Sequence, residues 1–303
     1  MTSRLATLDI ILQGLMRRYQ SRVPAVQAIL ERMVEFGLIR SAEEIENDHI
    51  AFRTMGVPFL GIQSFEKIFL HCGYERRDAY YFEGKKLNAF WYAPPVDRYP
   101  RIFISELRVD DLSPEAQQII RSYTNEVTGD PVDTLDLDSG QEVDEYLHRG
   151  LWRCPKWSDY ELLIDESEYA AWVIYNRYYL NHFTISVHNL PSPFNTVARF
   201  NEFLEEGGIK LNTAGGKAKC SPDGLLIQSS TVAHMADAQF DDGQGGCEIH
   251  AIAGSYVEFA ERRVLPEFAN LPPDQITRRH RRDGFEASNA DKIFESTFRQ
   301  QTM

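Results

Sequence analysis

Two stretches of this chain share an order of elements, and that repeat constrains its fold more than any single motif does. Asn47-Asp48-His49-Ile50 and Asn181-His182-Phe183 each open a strand-like stretch with an acidic or amide residue, a histidine and an apolar residue. In the first half, a strand over 47–56 leads to helical spacing over 64–72, with Ser64 as N-cap and Gly73 as terminator. Strands over 74–83, 86–93 and 101–108 follow, parted by Glu83-Gly84-Lys85 and Pro94-Pro95. In the second half, a strand over 181–189 leads to a helix over 193–206 that ends at Gly207-Gly208. Candidate strands then fall near 209–213, 224–231 and 247–261. Residue by residue the halves are dissimilar; what repeats is strand, helix, strand, strand, strand.

The expected fold class is therefore α+β, with two paired β-α-β-β-β modules over 41–108 and 181–263. Residues 1–40 read as a helical lead-in, with helices over 4–20 and 24–36, Pro24 in the second helix's first turn and Gly37 past its end. Residues 109–180 read as a mostly helical insertion. It has a helix from Asp111-Leu-Ser-Pro114 to about Asn125, a polar loop over 128–141, a short helix over 142–149 and an aromatic helix over 165–180. Residues 264–303 form a tail that closes the site, and all five parts are expected to make one compact unit.

Pairing the modules about a pseudo-two-fold makes His49 and His182 equivalent and brings them to one cup. Side chains alternate along a strand, so His49, Ala51 and Arg53 share one face while Ile50 and Phe52 share the other. On the second strand His182, Thr184, Ser186 and His188 share a face. Each module's last strand should supply a matching group. That group is Glu106 in the first module and Glu258 in the second. Two histidines and a carboxylate are the facial ligand set of non-haem Fe(II) oxygenases, which leaves positions open for substrate and dioxygen. Glu248, Glu261 and His250 lie close enough in sequence to compete or assist. His188 reads as an outer partner or a surface residue, and His71 and His148 as structural. Arg53 suits a carboxylate, because its planar fork can bind two oxygens at once.

Other chemistry is poorly supported. The net charge of −13 over 303 residues argues against nucleic-acid or anionic-membrane partners. The four cysteines are scattered, with no C-x-x-C pair, which indicates reduced thiols in an intracellular compartment. The first residues lack a secretory pattern, and no run approaches the ~20 apolar residues of a membrane span. The expectation is a soluble cytoplasmic protein. Gly243-Gln-Gly-Gly246 and Gly215-Gly-Lys217 fit no phosphate-binding spacing. The basic run Arg278–Arg282 reads as a solvated or ion-paired strip, with a grip on a substrate's far carboxylate as the lesser reading.

The paired modules with His, His and Glu resemble the vicinal oxygen chelate architecture. DHIAFRT around His49 and Arg53, NHFT around His182, SYVEFAER around Glu258 and the tail GFEASNADKIFEST occur in the order found in the 2-oxoadipate dioxygenase/decarboxylase family, which this chain resembles from about residue 40 onward. The resemblance implies an Fe(II) enzyme of lysine breakdown that takes 2-oxoadipate and O2 to 2-hydroxyglutarate and CO2. It implies that His49, His182 and Glu258 hold the iron and are catalytic together with Arg53. It further implies that Arg53, His49 and His182 contact substrate, joined by Ser288 and Asn289 at the tail's small-residue turn. Two other readings share the fold: a metal-dependent lyase or isomerase of the glyoxalase type, and a non-catalytic ligand-binding protein. The oligomeric state is left open.

Overall fold

The computed structural model describes residues 2–303. Helices α1 (Thr2–Arg22) and α2 (Pro24–Glu35) lead into β1 (Asn47–Met55), α3 (Ile62–His71), β2 (Glu75–Phe82), β3 (Leu87–Ala93) and β4 (Arg101–Leu107). The intervening region holds α4 (Pro114–Thr124), α5 (Gly140–His148), α6 (Trp157–Glu166) and α7 (Glu168–Asn176). The second half runs β5 (His182–Ser186), α8 (Val197–Glu206), β6 (Lys219–Cys220), β7 (Leu226–Ser230), β8 (Met235–Asp241), β9 (Cys247–Ala253) and β10 (Tyr256–Arg262). Helices α9 (Ala287–Phe294) and α10 (Arg299–Thr302) end the chain.

Eight strands form one mixed sheet in the order β2-β3-β4-β1-β5-β10-β7-β6. Read outward from its centre, the two halves match. Strands β1 and β5 are antiparallel neighbours; β4 runs parallel to β1 as β10 does to β5. Strands β3 and β7 then pair antiparallel with β4 and β10. The repeat expected from element order is thus a sheet-level repeat. One face of the central strands is apolar and packs on the module helices. Phe52 lies 4.9 Å from Phe65 and 5.6 Å from Phe69 of α3, and Phe259 lies 5.2 Å from Phe200 of α8. The other face carries His49, Arg53, His182 and Glu258. It too is buried, because α7 and the tail cover it. One contiguous core takes in Leu8, Ile29, Phe52, Trp172, Phe259 and Phe294.

Several expected elements differ in detail. Helix α3 starts at Ile62 behind Gly61, and Ser64 is no cap; its hydroxyl is buried and donates to Asp130 Oδ1 at 2.6 Å. The single aromatic helix over 165–180 is two helices that break at Ser167, whose Oγ accepts from Ala170 N and caps α7. Strand β5 stops at Ser186, and 187–189 turn as a short 3-10 helix, so His188 leaves the face of His182. The segment 247–261 is two strands separated at Gly254. Strand β9 pairs with the unforeseen β8 in a hairpin apart from the main sheet, and β10 joins the sheet. Near 209–213 only Leu211 makes a bridge, to Thr231, and the sheet edge is β6 instead. No described helix is long and apolar enough to cross a membrane.

Candidate metal centre

Cross-strand register builds the centre. Ala51 faces His182 across β1 and β5; His182 faces Tyr256 and Thr184 faces Glu258 across β5 and β10. Facing residues point to the same side of a sheet, so the odd positions of β1 and the even positions of β5 and β10 share one surface. His49, His182 and Glu258 meet there, all buried. The Nε2 atoms of the two histidines are 3.4 Å apart. Glu258 Oε2 lies 3.0 Å from His182 Nε2, and its Oε1 lies 3.4 Å from His49 Nε2. Donors bound at ~2.1 Å to one ion at right angles would stand about 3 Å apart. The observed separations fit that, and among the described residues these three form the one group of His, Cys, Asp and Glu able to hold a metal ion.

The residue before each histidine aims its ring. Asp48 Oδ1 lies 2.8 Å from His49 Nδ1, and Asn181 Oδ1 lies 3.1 Å from His182 Nδ1. An oxygen at Nδ1 keeps the proton there and leaves the Nε2 lone pair for the centre, the usual outer arrangement around a metal-binding imidazole. Asp48 is itself gripped by Arg262, whose Nε and Nη2 donate to its two oxygens at 2.6 and 2.9 Å, and Arg101 Nη1 approaches at 3.3 Å. Burial opposes ionisation of Asp48, yet Arg262 and Arg101 hold its carboxyl well below the usual carboxylate range. Burial also opposes charge on Glu258, and the two histidines hold that carboxyl far below its ordinary value. Gln228 Nε2 donates to Glu258 Oε1 at 2.6 Å, and Thr184 Oγ1 lies 3.0 Å from His49 Nε2.

The triad opens on a narrow cavity walled by Phe103, Phe285, Ala290, Ile293 and Phe294, with Arg53 at one side. Arg53 is 1% exposed and makes no ion pair with a carboxylate among the described residues. Its Nη1 donates to Thr297 Oγ1 at 3.0 Å and its Nη2 to the Phe294 carbonyl at 3.1 Å; Nε has no partner. The guanidinium lies 5.1 Å from the ring centres of both Tyr169 and Trp172. A buried cation that lines a cavity, held by carbonyl, hydroxyl and aromatic faces and with its Nε unpaired, is suited to receive an anion.

The remaining expected site residues fall elsewhere. Ser288 is exposed, with its Oγ 3.4 Å from Glu286 Oε1, and it does not wall the cavity. Asn289 is buried one residue outside the wall. Its Nδ2 donates to Gln228 Oε1 at 3.0 Å, so it touches the triad only through Gln228. Glu106 is not the counterpart of Glu258. His49 faces Arg101 and Ala51 faces Phe103, so the residue matching Glu258 is Phe103, and Glu106 matches Glu261. Both of those glutamates cap helices. Glu106 Oε2 accepts from Ile62 N at 2.8 Å and Glu261 Oε2 from Val197 N at 2.9 Å. His250 stacks on Trp157 at 3.8 Å in the separate hairpin. His188 Nδ1 accepts from Arg262 N at 3.2 Å, and burial lowers its pKa to about 4. In the basic run, Arg278 donates to the Asp97 and Tyr99 carbonyls, Arg281 to the Arg262 carbonyl, and Arg282 to Asp223; none of them walls the cavity. Asp48, Arg262, Gln228 and Tyr256 had not been singled out. For Asp48 the signal was its place before His49, matched by Asn181 before His182.

Residues 11–271 match the family model described as 2-oxoadipate dioxygenase/decarboxylase. The chain is 46% identical over 300 residues to the chloroplastic/amyloplastic 2-oxoadipate dioxygenase/decarboxylase of Oryza sativa subsp. japonica, covering 95% of this chain and 78% of that one. It is 46% identical to the chloroplastic enzyme of Arabidopsis thaliana over 93% of this chain and 75% of that one. The crystal structure of the Oryza sativa hydroxyglutarate synthase with 2-oxoadipate superposes with a TM-score of 0.86 at 43% identity, covering 96% of this chain and 92% of that one. A glyoxalase-superfamily protein of Ralstonia eutropha, 22% identical, shares the fold with a TM-score of 0.70 over 90% of this chain and 83% of its own. The cytoplasmic expectation is corrected by the two plant relatives, which are plastid proteins. Free, widely spaced cysteines do not distinguish cytosol from plastid. The family match over most of the chain and the level of identity to both plant enzymes agree with the site geometry: the chain belongs to the 2-oxoadipate dioxygenase/decarboxylase family.

Proposed function

We propose that this chain is an Fe(II)-dependent enzyme that converts 2-oxoadipate and O2 to 2-hydroxyglutarate and CO2. One observation carries the reading: a buried His-His-Glu set opens on a cavity lined by Arg53, whose Nε is unpaired. His49, His182 and Glu258 would hold the iron from one side, leaving the cavity side for substrate and O2. Bound Fe(II) supplies the activation of O2 and the oxidative decarboxylation. The protein does the rest. Asp48 and Asn181 keep both Nε2 atoms aimed at the centre. Gln228 fixes the Glu258 carboxylate. Arg53 takes a substrate carboxylate into a site from which Phe103, Phe285 and Phe294 exclude water. The rice structure supports the substrate class, since that relative was crystallised with 2-oxoadipate. Ser288, expected as a substrate contact, has no part in this reading, and Asn289 acts only as a brace for Gln228.

The test is oxygen uptake by anaerobically Fe(II)-loaded protein on addition of 2-oxoadipate, with the products identified. Uptake matched by CO2 and 2-hydroxyglutarate is expected. Tightly bound iron with no uptake would rule out the dioxygenase reading and leave an oxygen-independent lyase or isomerase. Glu258→Ala should lose iron. Arg53→Ala should keep iron and bind 2-oxoadipate at least about 30-fold more weakly. Full iron content and turnover in Glu258→Ala would remove the ligand assignment.

A further inference from the structure

Three buried donors on the cavity wall lack a hydrogen-bond partner: Arg53 Nε, Asn181 Nδ2 and Tyr256 Oη. Buried donors are nearly always satisfied, and a cluster of orphans at one cavity marks a place for a polar ligand. Tyr256 is the best placed of the three. It lies two residues before Glu258 on β10 and faces His182 across β5, so its side chain rises from the same surface as the triad. Its ring packs on the His182 ring with centres 4.8 Å apart. That contact carries the phenol past the metal centre toward Arg53, where its oxygen lies beside the guanidinium and Ser296 without a well-formed hydrogen bond. Ser296 Oγ is already engaged with Asn212 Nδ2 and Ser230 Oγ, both at buried positions. A phenol O–H beside a guanidinium Nε–H, both buried and without a well-formed bond, match the two oxygens of a carboxylate.

We propose that Tyr256 is a substrate-recognition residue, whose hydroxyl completes with Arg53 the grip on the far carboxylate of the 2-oxo diacid and sets the preference for a diacid over a monoacid. This rests on the functional reading above. Spacing supports it. The row of His182 lies one pleat, about 6–7 Å, from the row of Arg53, and the Tyr256 phenol reaches across that step to the guanidinium. The two carboxyl carbons of an extended six-carbon diacid are about 6 Å apart.

The test compares 2-oxoadipate with 2-oxohexanoate, which has the same chain ending in a methyl group. Binding is titrated calorimetrically to Fe(II)-loaded protein without oxygen, for the wild type and Tyr256→Phe, alongside iron content and thermal midpoint. Tyr256→Phe should bind 2-oxoadipate about 10- to 100-fold more weakly and 2-oxohexanoate unchanged. Iron content should be unaltered. The free variant should melt within about a degree of the wild type, because the lost hydroxyl made no well-formed hydrogen bond. Equal loss for both acids, no loss for either, or a lower melting point of the free variant would overturn the assignment and make Tyr256 a packing residue for His182. Wild-type protein that binds neither acid would overturn the functional reading, and the role of Tyr256 with it.

Discussion

Lys219 shows what single residues near this centre cost. It is 3% exposed and makes no ion pair; its Nζ donates to the Asn212 carbonyl at 2.8 Å. It sits opposite Gln228 across β6 and β7, and Gln228 holds the Glu258 carboxylate. Burial lowers the ammonium's pKa from 10.5 to about 8, against the opposing pull of Glu258 and Glu295. The sign follows. Below about pH 8 both folded and unfolded chains keep this proton, and the folded state bears the full penalty. Between about 8 and 10.5 the folded state sheds it first, so the unfolded state binds more protons and stability rises with pH, by up to about 1.4 kcal/mol per unit. Lys219→Met should be more stable than wild type at pH 7 and should lose that rise. Urea midpoints measured from pH 7 to 10 for both proteins check this; parallel curves would mean that Lys219 stays charged in the fold. The gain from a buried cation two side chains from the ligand carboxylate would then lie in the site and not in stability.

At the scale of elements, the pseudo-symmetry separates a structural glutamate from a candidate ligand. Glu106 and Glu261 occupy matching register positions and cap α3 and α8 through Ile62 N and Val197 N. The fit at the first cap is close enough that a Cβ on Gly61 would lie 2.1 Å from Glu106 Oε2, so any larger residue at the head of α3 would push that carboxylate off its cap. Removing a cap typically costs about 1 kcal/mol. Glu106→Ala and Glu261→Ala should each lower the unfolding free energy by that amount, read from urea unfolding, and keep full iron content, whereas Glu258→Ala should lose iron. Iron loss in Glu106→Ala would reinstate it as a ligand. The same comparison shows what was legible in the sequence. Alternation placed His49 with Arg53 and His182 with Thr184 on one face, and element order disclosed the two modules. Identifying Glu106 with Glu258 failed because it rested on both lying in a last strand, and strand order gives no register. Register is set by pairing with β1 and β5, which alternation within one strand does not encode. His188 left the face of His182 because β5 stops at Ser186 and the chain turns. Helix α6 escaped notice because acidic residues interrupt its short apolar stripe of Tyr160 and Leu163. Tyr256 and Gln228 gain meaning only from a cavity assembled by three distant segments, and no local pattern announces that.

Across the whole molecule, the tail and the candidate metal centre share one buried arginine. Arg262 grips both oxygens of Asp48, which aims His49, and the same guanidinium donates through Nη1 to the Arg282 and Gly284 carbonyls at 3.1 and 2.7 Å. Arg101 repeats the link, with Nη1 toward Asp48 and Nε on Asp283 Oδ1 at 2.5 Å. Immediately beyond these contacts Phe285 packs edge-on against His49 at 4.8 Å, and farther on Phe294 and Thr297 hold Arg53. The segment that walls the cavity is therefore fastened to the groups that orient a ligand on one side and an anion receptor on the other. Removing one partner of such a buried ion pair leaves an uncompensated charge and costs about 3–5 kcal/mol. Disturbing the group behind a metal-binding imidazole lowers metal affinity about 10- to 100-fold. Arg262→Met should thus weaken iron binding by that factor and at the same time expose 278–285 to limited proteolysis. Arg262→Lys, which keeps the charge but loses the fork, should fall between. Added Fe(II) should restore protection of the tail in Arg262→Lys if His49 and the tail are coupled through this residue. Iron affinity that falls while the tail stays protected would show instead that Arg262 serves Asp48 alone, with the tail held by its aromatic contacts.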